Sequence, residues 1–201
     1  MAITRITSPA ITSVSSTSIS GTIPQGNIAN ASLGAVTALP ASITTGDVLQ
    51  VVSTKKSSTF TTTANSWTGV TAFSVDITPS ATSSKVYVLV TCGSFQTDNG
   101  NARAQMKLMR DSTDIALGDA ATGDEVSSVV CGRSNDGAHH QFPTVISVLD
   151  SPSTTSQVTY NIYVQRGADQ AGVICLNRSG NQDQYSGNTI STITAMEIKG
   201  W

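Results

Sequence analysis

The chain has 201 residues, only 12% of them charged, and a net charge of −2. That is room for one ordinary domain and an additional segment. It offers no basic field to draw nucleic acid and no apolar run long enough to span a bilayer as a helix, so neither nucleic-acid binding nor membrane insertion is expected.

Ser and Thr take the place of charge, at roughly 28% of residues, a bias towards strands and turns rather than helices. Residues 1–45 read as an extended, low-complexity N-terminal arm for attachment. Ile3, Ile6, Ile11, Val14, Ile19, Ile23, Ile28 and Leu33 stand singly among Ser, Thr, Ala, Gly and Asn, while Pro9, Pro24 and Pro40 interrupt any regular element. Such a segment cannot bury enough surface to fold alone. It is either a solvated tail or an assembly arm whose isolated apolar side chains are buried on a neighbouring subunit. Arg5 is followed by no apolar stretch, so no secretory signal is expected.

Residues 46–201 change character, and short strand-like runs recur between turn signals. Residues 47–54 (DVLQVVST) and the Thr-rich 59–63 come first. Residues 70–78 (VTAFSVDIT) place Val70 and Ala72 in one alternation before Phe73, Val75 and Ile77 take up another. Residues 85–95 (KVYVLVTCGSF) form the most apolar run, which predicts a central strand. Residues 103–110 alternate Ala104, Met106 and Leu108 against Arg103, Gln105 and Lys107, and pair with 113–117 as a hairpin. Runs at 126–131, 142–149, 157–165, 171–177 and 189–198 follow. Val158, Tyr160, Ile162 and Val164 give the cleanest period-2 stretch. About ten short strands and no convincing amphipathic helix predict an all-β fold, an antiparallel β-sandwich of jelly-roll-like type.

Residues that carry chemistry are few. His139 and His140 are adjacent in a Gly- and Asn-rich loop; on a strand they face opposite ways and do not chelate one metal within a chain, although a threefold assembly would gather one from each copy. Residues 118–125 (GDAATGDE) lack the spacing of a calcium-binding loop. No nucleophile elbow, phosphate-binding loop or zinc-protease motif occurs, so neither a catalytic site nor a cofactor is expected. Cys92, Cys131 and Cys175 read as small buried hydrophobes, with one oxidised pair as the alternative. Glycan contact would need exposed aromatics beside amides. Trp67 and Tyr185 are the candidates, with Trp201 a third and residues 177–188 the longest late loop. The alternative is that Trp67 packs a sandwich edge and Trp201 docks the C-terminus.

Several strings carry a resemblance: VLQVVST, WTGVTAFSVDITPSATSSKVYVLVT, KLMRDSTDIALGDA, VISVLDSPSTTSQVTYNIYVQ and STITAMEIKGW, in that order over residues 46–201. They resemble a β-sandwich module of virion appendage proteins in tailed phages of marine and environmental type, such as tail-fibre or capsid decoration proteins. The resemblance implies a virion component assembled in the host cytoplasm, where thiols stay reduced. It also implies a homo-oligomer, a trimer being the expected form, that contacts other capsid or tail proteins. A tail-tip module recognising a host surface receptor or glycan is the alternative it leaves. The strings are strands and turns, so they imply fold and setting rather than chemistry, and the chain has no shaft-like repeat.

Overall fold

The computed structural model describes residues 47–99, 101–119, 126–131, 141–167, 171–184 and 186–200. All belong to the unit spanning Thr44–Trp201. Twelve strands and no helix occur among the described residues: β1 (Val48–Lys56), β2 (Phe60–Thr62), β3 (Thr68–Ile77), β4 (Lys85–Cys92), β5 (Phe95–Thr97), β6 (Ala104–Arg110), β7 (Thr113–Ile115), β8 (Val129–Cys131), β9 (Thr144–Asp150), β10 (Val158–Arg166), β11 (Ile174–Leu176) and β12 (Ser191–Ile198). Every pairing is antiparallel.

One sheet runs β1-β12-β4-β9. The other runs β3-β10-β6, and β7 and β8 share the far side of β6. β7 pairs with Leu108–Arg110 and β8 with Ala104–Met106, so together they fill one strand position. Four strands facing four in this order is the jelly roll, the all-β sandwich that alternation and turn spacing predicted. The third, small sheet is β2-β11-β5, and it sends Phe95, Ile174 and Leu176 into the same core.

Period-2 alternation builds that core. Val86, Val88 and Val90 of β4 and Ile193 and Ala195 of β12 face Phe73, Val75, Ile77, Met106, Leu108, Tyr160, Ile162 and Val164 of the opposite sheet, all buried. Each such side chain removed from water contributes about 1.5–3 kcal/mol.

Three local features depart from the simple alternation. Val70 and Phe73 both point inward although three residues apart. The chain recovers phase through a bulge, where Ala72 takes a φ of 56° and the β3–β10 register slips between Asn161 and Tyr163. The run 85–95 is two strands rather than one. A Cβ at Gly93 would lie 2.7 Å from the Ile190 carbonyl oxygen, so only glycine lets the chain leave β4 there and enter β5 in the small sheet. Finally, Ile198 shares the outer face with Thr194 and Met196 because the inward position is taken by Glu197, which is 1% exposed.

Candidate functional site

The polar groups of the interior define what the sandwich can do. Glu197 lies between the 79–84 turn and edge strand β1. Its Oε1 accepts from the Ser80 backbone N–H at 2.7 Å, the Ser80 hydroxyl at 2.6 Å and the Ser84 hydroxyl at 2.7 Å. Its Oε2 accepts from Gln50 Nε2 at 2.7 Å. Burial alone would raise its pKa, but the hydrogen bonds from Ser80, Gln50 and Ser84 outweigh it and hold the carboxyl down to about 2. The group stays ionised and binds three chain segments together.

A second anchor joins the two sheets. Arg110 Nη1 of β6 donates to both carboxylate oxygens of Asp150 on β9, at 2.8 and 2.7 Å. The hydroxyl of Tyr160 on β10 donates to Asp150 Oδ2 at 2.7 Å. Burial, then the Asp150 carboxylate that accepts its proton, raises the Tyr160 pKa. A third anchor centres on Asn177, fully buried with a φ of 61°, a left-handed conformation that Asn tolerates better than most residues. Its Nδ2 donates to the Lys56 and Ser58 carbonyls at 2.9 and 3.2 Å, and its Oδ1 accepts from Ser191 at 2.6 Å. Beside it the Lys56 ammonium, its pKa lowered by burial, donates to Ser58 Oγ and the Thr71 carbonyl, both at 2.9 Å.

Trp67, the described glycan candidate, precedes β3 and is half-buried on the outer face of the β3-β10-β6 sheet. The Lys107 ammonium lies 4.7 Å from the centroid of its ring and 2.6 Å from Asp114 Oδ1. Tyr163 pairs with Lys107 on one side and Gly69 on the other. Its ring covers Gly69, where a Cβ would come within 3.5 Å of it. Gln165 Nε2 donates to Gln105 Oε1 at 2.6 Å in the next position along. The cluster is therefore two half-buried aromatics around a neutralised lysine, bordered by amides. Sequence reasoning singled out Trp67 and missed Tyr163, whose place beside it follows only from the β3–β10 register.

Tyr185, Trp201, His139, His140, residues 120–125 and the arm residues Ile3, Ile6, Ile11, Val14, Ile19, Ile23, Ile28 and Leu33 lie outside the described residues. Among the described residues, no group of three or more His, Cys, Asp or Glu is placed to hold a metal. The three cysteines are free and buried. Desolvation pushes the Cys92 thiol up to about 12 and Cys175 up to about 11, so neither is a ready nucleophile. An open cleft of about 330 Å³ between β8 and β9 is lined by Val129, Val130, Cys131, Phe142, Pro143, Thr144 and Val145, of which only Cys131 is ionisable, and burial raises the pKa of its thiol. Compared with known proteins, the chain matches no family model and no curated protein.

Proposed function

We propose that the protein is a non-enzymatic structural component of a tailed-phage virion. In this reading it is a homo-oligomer, a trimer, of jelly-roll bodies tied to capsid or tail proteins by the arm of residues 1–45. One observation carries the reading: strings that carry the resemblance to virion appendage modules are physically joined. D-I-T-P-S-A-T-S-S-K-V supplies Ser80 and Ser84, and I-T-A-M-E-I supplies the Glu197 they hold. L-D-S-P-S-T-T-S-Q-V-T-Y supplies Asp150 and Tyr160, and K-L-M-R-D-S-T-D-I-A supplies the Arg110 that meets them. The recognisable residues are staples of a rigid body, which is what a structural module needs. Jelly rolls recur in viral capsid and lectin domains, although a fold alone assigns no activity.

Quantitative mass spectrometry of purified particles from the encoding phage tests the reading. The protein is expected at a fixed stoichiometry of many copies per particle; its absence from mature particles overturns the reading.

The Trp67–Tyr163 surface favours a second reading, a receptor- or glycan-binding module at a tail tip. Aromatic faces beside amides suit a sugar ring and its hydroxyls. A glycan array would then show binding that Trp67→Ala abolishes while thermal stability changes by only a few degrees; binding unaffected by Trp67→Ala removes this reading.

A further inference from the structure

The two broad faces of the sandwich differ in kind. On the outer face of the β3-β10-β6-β7 sheet, charge of both signs is present: Lys107 pairs with Asp114, and the Asp76 carboxylate accepts from Thr159 Oγ1 at 2.6 Å. The outer face of the β1-β12-β4-β9 sheet carries no carboxylate on its strands. Its registers line up Val51, Met196, Tyr87 and Leu149 in one row across all four strands. The next row is Ser53, Thr194, Leu89 and Ser147, and the next Lys55, Thr192, Thr91 and Val145. Val51, Val145 and Leu149 are 56%, 58% and 53% exposed, on the two edge strands of the sheet.

The hydroxyls of this face are already spent on one another. Ser53 Oγ meets Thr194 Oγ1 at 2.9 Å, Thr91 meets Thr192 at 2.7 Å, and the Tyr87 hydroxyl meets Ser147 at 2.8 Å. A face whose polar groups are internally paired loses little when water leaves it. It presents no convergent unpaired groups to orient a small ligand, and its two lysines, Lys55 and Lys85, sit in its end rows.

We infer that this face is where a second copy of the chain docks. The face measures roughly 20 Å by 25 Å from strand spacing and rise. It thus gives about 500 Å² per copy and about 1,000 Å² on pairing, the threshold for a specific protein interface. A second copy brings surface of the same carboxylate-free kind, apolar in the Val51–Leu149 row and with paired hydroxyls in the rows beside it, and a net charge of −2 opposes self-association only weakly. The inference goes beyond the proposed function, because a face that meets its own copy makes a twofold contact, distinct from the contact of a trimer, and it stands without the virion setting. Purified protein tests it, whereas the virion reading stands or falls on particle composition.

Size-exclusion chromatography with light scattering on the full chain, from 1 to 100 µM, is the test, with V51K/L149K as the variant. Both positions are over half exposed, so the lysines leave each copy folded, which far-ultraviolet circular dichroism checks. Wild type is expected as a dimer or larger. V51K/L149K is expected as a monomer, with a dissociation constant raised about a hundredfold or more by buried unpaired charge. Val130→Lys, on the other sheet, is expected to keep the oligomer. A monomeric wild type, whether the face is covered by the chain's own arm or by another protein in the particle, overturns the inference. So does a V51K/L149K variant that still assembles.

Discussion

Glu197 shows how one carboxylate can organise a fold without doing chemistry. Four hydrogen bonds to it tie the 79–84 turn and strand β1 to β12. Its folded pKa, about 2, lies below the ordinary 4.5. A depressed carboxyl contributes stability that is fully present above its unfolded pKa and is lost as pH falls through the folded one. Thermal melts of wild type are therefore expected to be level above pH 5 and to decline between about pH 4.5 and 2. Glu197→Gln, which keeps shape but loses charge, is expected to lower stability at pH 7 by about 2–3 kcal/mol and to flatten that acid limb. A Glu197→Gln protein with the same acid limb as wild type would assign the dependence to other groups. Gln96 gives the opposite case. It is 1% exposed, and neither amide atom has a hydrogen-bond partner among the described residues. Replacing an unpaired buried amide by an apolar group of similar shape removes a desolvation cost, so Gln96→Met is expected to raise stability by about 1–2 kcal/mol in urea unfolding.

Between elements, the Asp150 anchor joins β9 to β6 and β10, so it spans the two sheets rather than neighbours in one. Tyr160→Phe keeps the ring in the core and removes only the hydrogen bond to Asp150. It is expected to cost about 2 kcal/mol in urea unfolding, mostly as faster unfolding if the sheets dock late in folding. The strands that carry this anchor were largely legible in the sequence. Val158, Tyr160, Ile162 and Val164 face the core as their alternation predicts, and the β6–β7 hairpin turns at Asp111, whose φ is 52°. The exceptions each have a local cause that alternation cannot encode. Ala72 absorbs a bulge, Gly93 divides one apolar run between two sheets, and Glu197 takes an inward position in line with Ile193 and Ala195. The anchors themselves were not legible. Asp150 and Arg110 are 40 residues apart, and Ser80 and Glu197 are 117 apart, so only the strand order brings them together.

At the scale of the whole molecule, the chain joins a body whose interior polar groups are mostly hydrogen-bonded, Gln96 being the main exception, to 45 residues whose isolated Ile and Val side chains suit burial on a partner. Burial of such side chains contributes about 25 cal/mol per Å², and repetition over many copies turns modest contacts into lasting attachment. We propose this division of labour: a sandwich that persists and assembles, and an arm that holds it to the particle. The most direct measurement is to package particles in the presence of the full chain or of a chain lacking residues 1–40, and to compare their protein content by quantitative mass spectrometry. The shortened chain is expected to remain a folded, soluble oligomer and to be missing from the particles, while the full chain is present at fixed stoichiometry. Incorporation of the shortened chain at the same level as the full one would contradict the proposal.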